Sequence, residues 1–184
     1  LLEQIHGPEH PSLARVLSNG LAAIYRAQAR DDEAGAAYER ALALLQKALP
    51  QADVRIGLAL IDLAEWYNKL ENYAQAEGYY RRGIPILQAH FAPAHSRILY
   101  LLQDWGLVNQ MLGRRREAEA VYKMLLLIVE KAGGERHPSV AAALNNLVGL
   151  YETEGRQAEA DALRKRMLDV GNTHYRGMPY LPYQ

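Results

Sequence analysis

The sequence predicts an all-α protein built as a solenoid of helix pairs, and three observations carry that prediction. Ala34, Ala76, Ala118 and Ala160 recur at a constant interval of 42 (160 − 118, 118 − 76, 76 − 34). A fixed period of this order marks a repeat architecture, in which each copy buries its apolar face against the next. Each alanine lies in the second of two segments whose apolar residues recur three and four apart, the spacing of one helix face. Glycine and proline then punctuate the pattern between pairs, at Gly7-Pro8, Pro50, Pro93 and Gly133-Gly134.

Composition narrows the function classes. The 184 residues carry 21 basic and 21 acidic side chains, so no net charge favours a nucleic acid or an anionic membrane surface. No apolar run approaches the roughly 20 residues that span a bilayer. The absence of cysteine removes disulfides, thiolate metal sites and cysteine nucleophiles together. It fits cytoplasm and periplasm alike; cytoplasm is the expected compartment, with the start at Leu1 leaving an upstream segment open. Little Phe and Thr beside much Ala, Leu, Glu and Arg favours helix over strand.

Taken in order, Leu1, Leu2 and Ile5 are a fragment of a helix face that Gly7-Pro8 ends, a partial repeat over 1–9. His10-Pro11-Ser12 opens the next helix with Ser12 as its cap, and Leu17, Leu21 and Ile24 form its stripe. Asp31-Asp32-Glu33 places acids at the start of the second helix, where the helix dipole favours them. The pattern restarts at Asp53, with Leu63 and Trp66 on the stripe, and its second helix contains Gly83-Ile84-Pro85, where a local kink or widening is expected. The third copy carries Leu101, Trp105 and Val108, and the fourth Ala143, Leu147 and Leu150. Repeats are thus expected near 10–51, 52–93, 94–136 and 137–170, with helix pairs near 12–29/32–49, 53–70/72–89, 94–112/114–132 and 138–154/157–170. Gly171-Asn172-Thr173 should stop the last helix, leaving 171–184 as a Pro/Tyr-rich tail.

Aligned on the four alanines, the copies place Leu21, Leu63, Trp105 and Leu147 before Ala22, Ala64, Gly106 and Val148. Tyr25, Tyr67, Asn109 and Tyr151 follow, and Tyr38, Tyr80, Tyr122 and Arg164 stand four residues after each alanine. This order of bulky, small, aromatic, alanine and aromatic resembles the tetratricopeptide repeat signature. The period of 42 and the segment HPSVAAALNNLVGLYETEGRQAEADAL are similar to the long-helix repeats of the kinesin light chain type, and so is the linker LLEQIHGPEHPSLA. The resemblance covers residues 1 to about 170 and implies a right-handed α-solenoid of antiparallel helix pairs, a tetratricopeptide superhelix. Asn109 and Arg164 depart from the aromatic pattern. Arg164 suits a last repeat whose outer face meets solvent.

The family geometry implies a concave groove lined by the first helix of each pair. Position by position, one row is Asn19, Ile61, Gln103 and Asn145, and the next holds Asn146. A turn further on are Glu65 and Leu107, then Arg26, Gln110 and Glu152. Amide side chains both donate and accept, so a ladder of them suits a peptide backbone of any sequence. Ile61, Leu107, Met111 and Tyr100 would supply an apolar middle for an anchoring side chain. The bland reading, solvated amides on a helix surface, competes with this one.

Other constellations weigh less. His6 and His10 are separated by Gly7-Pro8 and share no helical face, so no metal site and no cofactor are expected. Arg114-Arg115-Arg116 reads as a solvated turn, and Trp66 and Trp105 as core. No Ser-His-Asp set, phosphate-binding glycine loop or converging carboxylate pair occurs. The expected function is therefore a non-catalytic protein-protein interaction scaffold binding a partner's peptide. A peptide-sensing regulatory module and the recruitment domain of a larger enzyme are the alternatives. Neither nucleic acid nor membrane insertion is expected. End-to-end self-association through the leading half-repeat or the tail is a further partner reading.

Overall fold

The computed structural model of the chain describes residue 7, residues 10–135 and residues 137–175. These form eight helices and no strand among the described residues, in two compact units that divide between Ala92 and Pro93. The leading fragment at residues 1–6 and the tail from residue 176 lie outside the described residues.

In the first unit, helix α1 is composite: α-helical over Leu13–Arg15, π-helical over Val16–Ala22, and α-helical again over Ala23–Ala27. It pairs with α2 (Asp31–Ala48), and α3 (Val54–Lys69) pairs with α4 (Tyr73–His90). In the second unit, α5 (Ser96–Met111) pairs with α6 (Arg115–Gly133), and α7 (Pro138–Thr153) with α8 (Gln157–Tyr175).

The repeat seen in the sequence is a repeat of structure. Ala34, Ala76, Ala118 and Ala160 are fully buried where the two helices of a pair approach. Opposite them, Ala22, Ala64, Gly106 and Val148 are buried too. Gly106 is small for a steric reason: a Cβ there would stand 2.1 Å from the Tyr122 ring. The turn inside each pair places Ala29, Glu71, Gly113 and Gly155 in the left-handed region, with φ of 54°, 57°, 69° and 70°. The following N–H, of Arg30, Asn72, Arg114 or Arg156, donates to the carbonyl of Tyr25, Tyr67, Asn109 or Tyr151 at 2.9 Å. Each turn thus satisfies a carbonyl that the helix end leaves open.

The first helices of the pairs share a capping device as well. Asp53 Oδ1 accepts from the Arg55 N–H at 2.9 Å. His95 Nδ1 and His137 Nδ1 accept from the N–H of Arg97 and Ser139 at 3.2 Å. In α1 the acceptor is His10 Nδ1, which takes the Ser12 N–H at 3.2 Å, so His10 caps the helix and Ser12 does not.

That cap explains the π-helical stretch. Asp53, His95 and His137 each stand ten residues before Leu63, Trp105 and Leu147, whereas His10 stands eleven before Leu21. One extra residue in a helix fixed at both ends is absorbed by a local i→i+5 turn. Leu13 before it, and Leu17 and Ala22 near its two ends, therefore all stay buried.

The helix carrying Pro85 shows no such widening: α4 remains α-helical from Tyr73 to His90, with Pro85 exposed. Gly83 serves close packing there, since a Cβ would meet Ile61 Cδ1 and Leu60 Cβ at 3.0 Å. The expected stop at Gly171-Asn172-Thr173 is also corrected, because α8 continues to Tyr175 and passes the boundary drawn at 170. Asn109, buried in place of a tyrosine, turns back on its own helix and donates to the Trp105 carbonyl at 2.9 Å. No helix of the described residues is long and apolar enough to cross a membrane, and none of their His, Asp and Glu side chains group to hold a metal ion.

Candidate functional site

The candidate face in the second unit is built from the outer sides of α5 and α7. Because consecutive helices reverse direction across short turns, the first helices of successive pairs run the same way. On α5, Ile98, Leu101, Leu102 and Val108 turn inward and are fully buried. The opposite side of the same helix carries Tyr100, Leu107 and Met111, which remain 55%, 47% and 55% exposed. Spaced seven and four apart, they form one stripe along the helix. Exposed Gln103 and half-buried Gln110 lie between them, and the Tyr122 hydroxyl approaches Gln110 Oε1 at 3.4 Å.

On α7 the corresponding side is polar and small. Asn145 is exposed and Asn146 half-buried. Gly149 holds the position that Leu107 holds on α5, and a Cβ added to it would touch nothing within 4 Å. Glu152 is exposed and ion-paired with Arg164 of α8, which also donates to Asp161 Oδ1 at 2.8 Å. The positions on α7 that correspond to the α5 stripe thus offer room and amides.

In the first unit the expected residues fare differently. Asn19 is exposed within the π-helical stretch of α1. Arg26 is exposed, donates to the Tyr38 hydroxyl at 3.2 Å and lies 5.6 Å from the Trp66 ring centre. Glu65 is half-buried on α3. Ile61 must be corrected: it is fully buried and packs toward Gly83 of α4, so it offers no surface to a ligand. The alanine-based alignment put it in the amide row, but a β-branched apolar residue beside a glycine on the paired helix turns into the core instead.

What holds α7 in place was not read from the sequence. Glu119 of α6 accepts from the Tyr151 hydroxyl at 2.9 Å and from Arg156 Nη1 at 2.8 Å, and pairs with Lys123 Nζ at 2.6 Å. Arg156 Nη1 also reaches Glu154 at 3.0 Å, its Nε donates to Glu159 at 2.6 Å, and the guanidinium lies 4.0 Å from the Tyr151 ring centre. Arg156 first, then Lys123 and Tyr151, hold the Glu119 carboxyl down at about 2. Burial and the neighbouring Glu119 push the Tyr151 hydroxyl up. The first unit has a counterpart in Tyr67, which donates to Glu39 at 2.9 Å and is pushed up to about 12 by burial and that carboxylate.

Comparison with known proteins completes the picture. The sequence matches the tetratricopeptide repeat family over residues 12–89 and 97–170. No curated protein matches the chain by sequence. Among solved structures, the chain is similar to a Podosopora anserina protein with nearly identical TPR-like repeats of kinesin light chain type, at a TM-score of 0.81 and 22% identity over 96% of this chain and 83% of that one. It is similar to BtubC (BKLC) from P. vanneervenii, at a TM-score of 0.73 and 21% identity over 95% and 69% of the two chains. It is also similar to MamA, at 0.62 and 15% over 89% and 81%. At these identities the likeness is one of fold: an all-α solenoid of paired helices.

Proposed function

The chain belongs to the tetratricopeptide repeat family, and from that premise we propose that it is a non-catalytic interaction scaffold whose first helices hold a partner's peptide in the concave groove of the repeats. The observation that carries the reading is the stripe of Tyr100, Leu107 and Met111, left exposed on a helix whose other side is fully buried. Single exposed apolar residues need no explanation, but three in a row beside amides do. Gln103, Gln110, Asn145 and Asn146 supply donors and acceptors for a peptide backbone, and Leu107 and Met111 an anchor for one apolar side chain. Asn19, Arg26 and Glu65 are the corresponding candidates on the first unit, with Glu152 at the rim of the second.

Magnitudes set the expected affinity. Each solvent-competed amide bond contributes about 0.5–1.5 kcal/mol net. Several of these plus one anchor give binding on the order of micromolar, about −8 kcal/mol. The test is a peptide-display selection against the 184-residue chain, repeated with Leu107→Asp and Asn145→Ala. Selected peptides should lose binding to the first variant and weaken on the second. Equal binding to parent and both variants would remove this face as the site.

A further inference from the structure

Charge is unevenly placed on the two first helices of the second unit. Between Ser96 and Met111, α5 carries Arg97 in its first turn and Asp104 at its middle, and no other charged side chain. Between Pro138 and Thr153, α7 carries Glu152 alone, and Arg164 of α8 already holds that carboxylate. Arg97 stands two turns before Asp104, about 10 Å along the axis.

Asp104 lies inside the apolar stripe. Tyr100 precedes it by four residues and Leu107 follows it by three, the two spacings that put side chains on one helix face. Both neighbours are exposed, with Asp104 half-buried between them. Burial first, and then the Asp104 carboxylate, push the Tyr122 hydroxyl of α6 up to about 12, so the negative charge is felt where that hydroxyl approaches Gln110. The same repeat position is Asp62 on α3 and Asn146 on α7, but Leu58 and Glu65 flank the first, and Ala142 and Gly149 the second. At this repeat position α5 alone of the three sets a carboxylate between an exposed aromatic and an exposed leucine.

Taking the peptide reading as its basis, we propose that the α5 face selects a segment of a partner protein bearing an arginine two residues from its apolar anchor. The guanidinium pairs with Asp104 and lies on the Tyr100 ring, while the anchor rests on Leu107 and Met111. Charge complementarity carries the choice, since the ligand supplies the cation that α5 and α7 do not place beside Asp104. Arginine suits the place better than lysine, because its plane forks onto a carboxylate and stacks on an aromatic face. Two residues of extended chain span about 7 Å, close to the ~5–6 Å between Cβ atoms three apart on a helix.

The test is a peptide-display selection on the 184-residue chain and on its Asp104→Asn and Asp104→Arg variants, with circular dichroism checking that each folds. Peptides selected on the parent should be rich in arginine two residues from an apolar side chain. A synthetic copy of one should bind Asp104→Asn about tenfold more weakly, and should lose as much on the parent when its arginine becomes glutamine. On Asp104→Asn that glutamine peptide should lose nothing further, which closes the cycle even where Asp104→Arg fails to fold. Where it folds, Asp104→Arg should turn the selection toward aspartate or glutamate at the arginine's place. Binding to the parent should fall as salt rises. Peptides that lose binding to Leu107→Ser yet carry no arginine, or that bind Asp104→Asn as well as the parent, overturn the proposal and leave the peptide reading standing. A parent chain that selects no peptide overturns both.

Discussion

The Tyr151 hydroxyl donates to Glu119 over 2.9 Å, a bond that crosses from the second helix of one repeat to the first helix of the next. Arg156 reaches the same carboxylate from the following turn, so three elements meet at one side chain. Glu119→Gln keeps the shape and removes the charge, and should cost about 1–2 kcal/mol, read as a lower midpoint in urea. Loss confined to the tyrosine bond would show as an equal effect in Tyr151→Phe.

The same carboxylate gives the protein an acid limb. Its folded value of about 2 lies below its ordinary 4.5, so its contribution is complete above 4.5 and is lost as pH falls from there toward about 2. Thermal midpoints measured across that window should fall less steeply in Glu119→Gln than in the parent. Parallel curves would show that other carboxylates, such as Asp53 beside Arg55, carry the effect.

The four turns invite a direct comparison of side chain with glycine. Ala29 and Glu71 adopt the left-handed backbone that Gly113 and Gly155 adopt without strain. Ala29→Gly and Glu71→Gly should each stabilise the chain by roughly 0.5–1 kcal/mol, while Gly113→Ala and Gly155→Ala should destabilise by about 1 kcal/mol. Open space surrounds both glycines, so backbone conformation alone sets the sign.

The π-helical stretch follows from one surplus residue, and Ser18 is the one to remove. Its deletion brings Leu17 nine residues before Ala27, the spacing that Leu144 keeps from Thr153, and restores the ten-residue interval from His10 to the leucine now at position 21. The shortened α1 should be α-helical throughout, with a higher melting temperature. A lower one would mean that the wide turn itself makes contacts the chain depends on.

Much of this architecture was legible in the sequence because a repeat checks itself. Four alanines at one interval fixed the pairing of the helices, and small residues at Ala22, Ala64 and Gly106 marked where they touch. What escaped was whatever differs by a single residue or depends on the paired helix. The displaced His10 was visible as an eleven-residue interval, but its consequence needed the caps of the other three copies beside it. Ile61 shares its row with amides, and only Gly83 on the facing helix turns it inward. Proline chemistry pointed to Pro85 as the irregularity, whereas an exposed proline leaves α4 helical to its end.

The most direct test of the peptide reading is a methyl NMR titration of the chain with a selected peptide. Leu107 and Met111 methyls on α5 should shift and saturate together, while Met124 and Leu127 on α6, also exposed, should stay in place. Movement of the α6 methyls with those of α5 unmoved would contradict the account and put the partner on the other side of the helix pair.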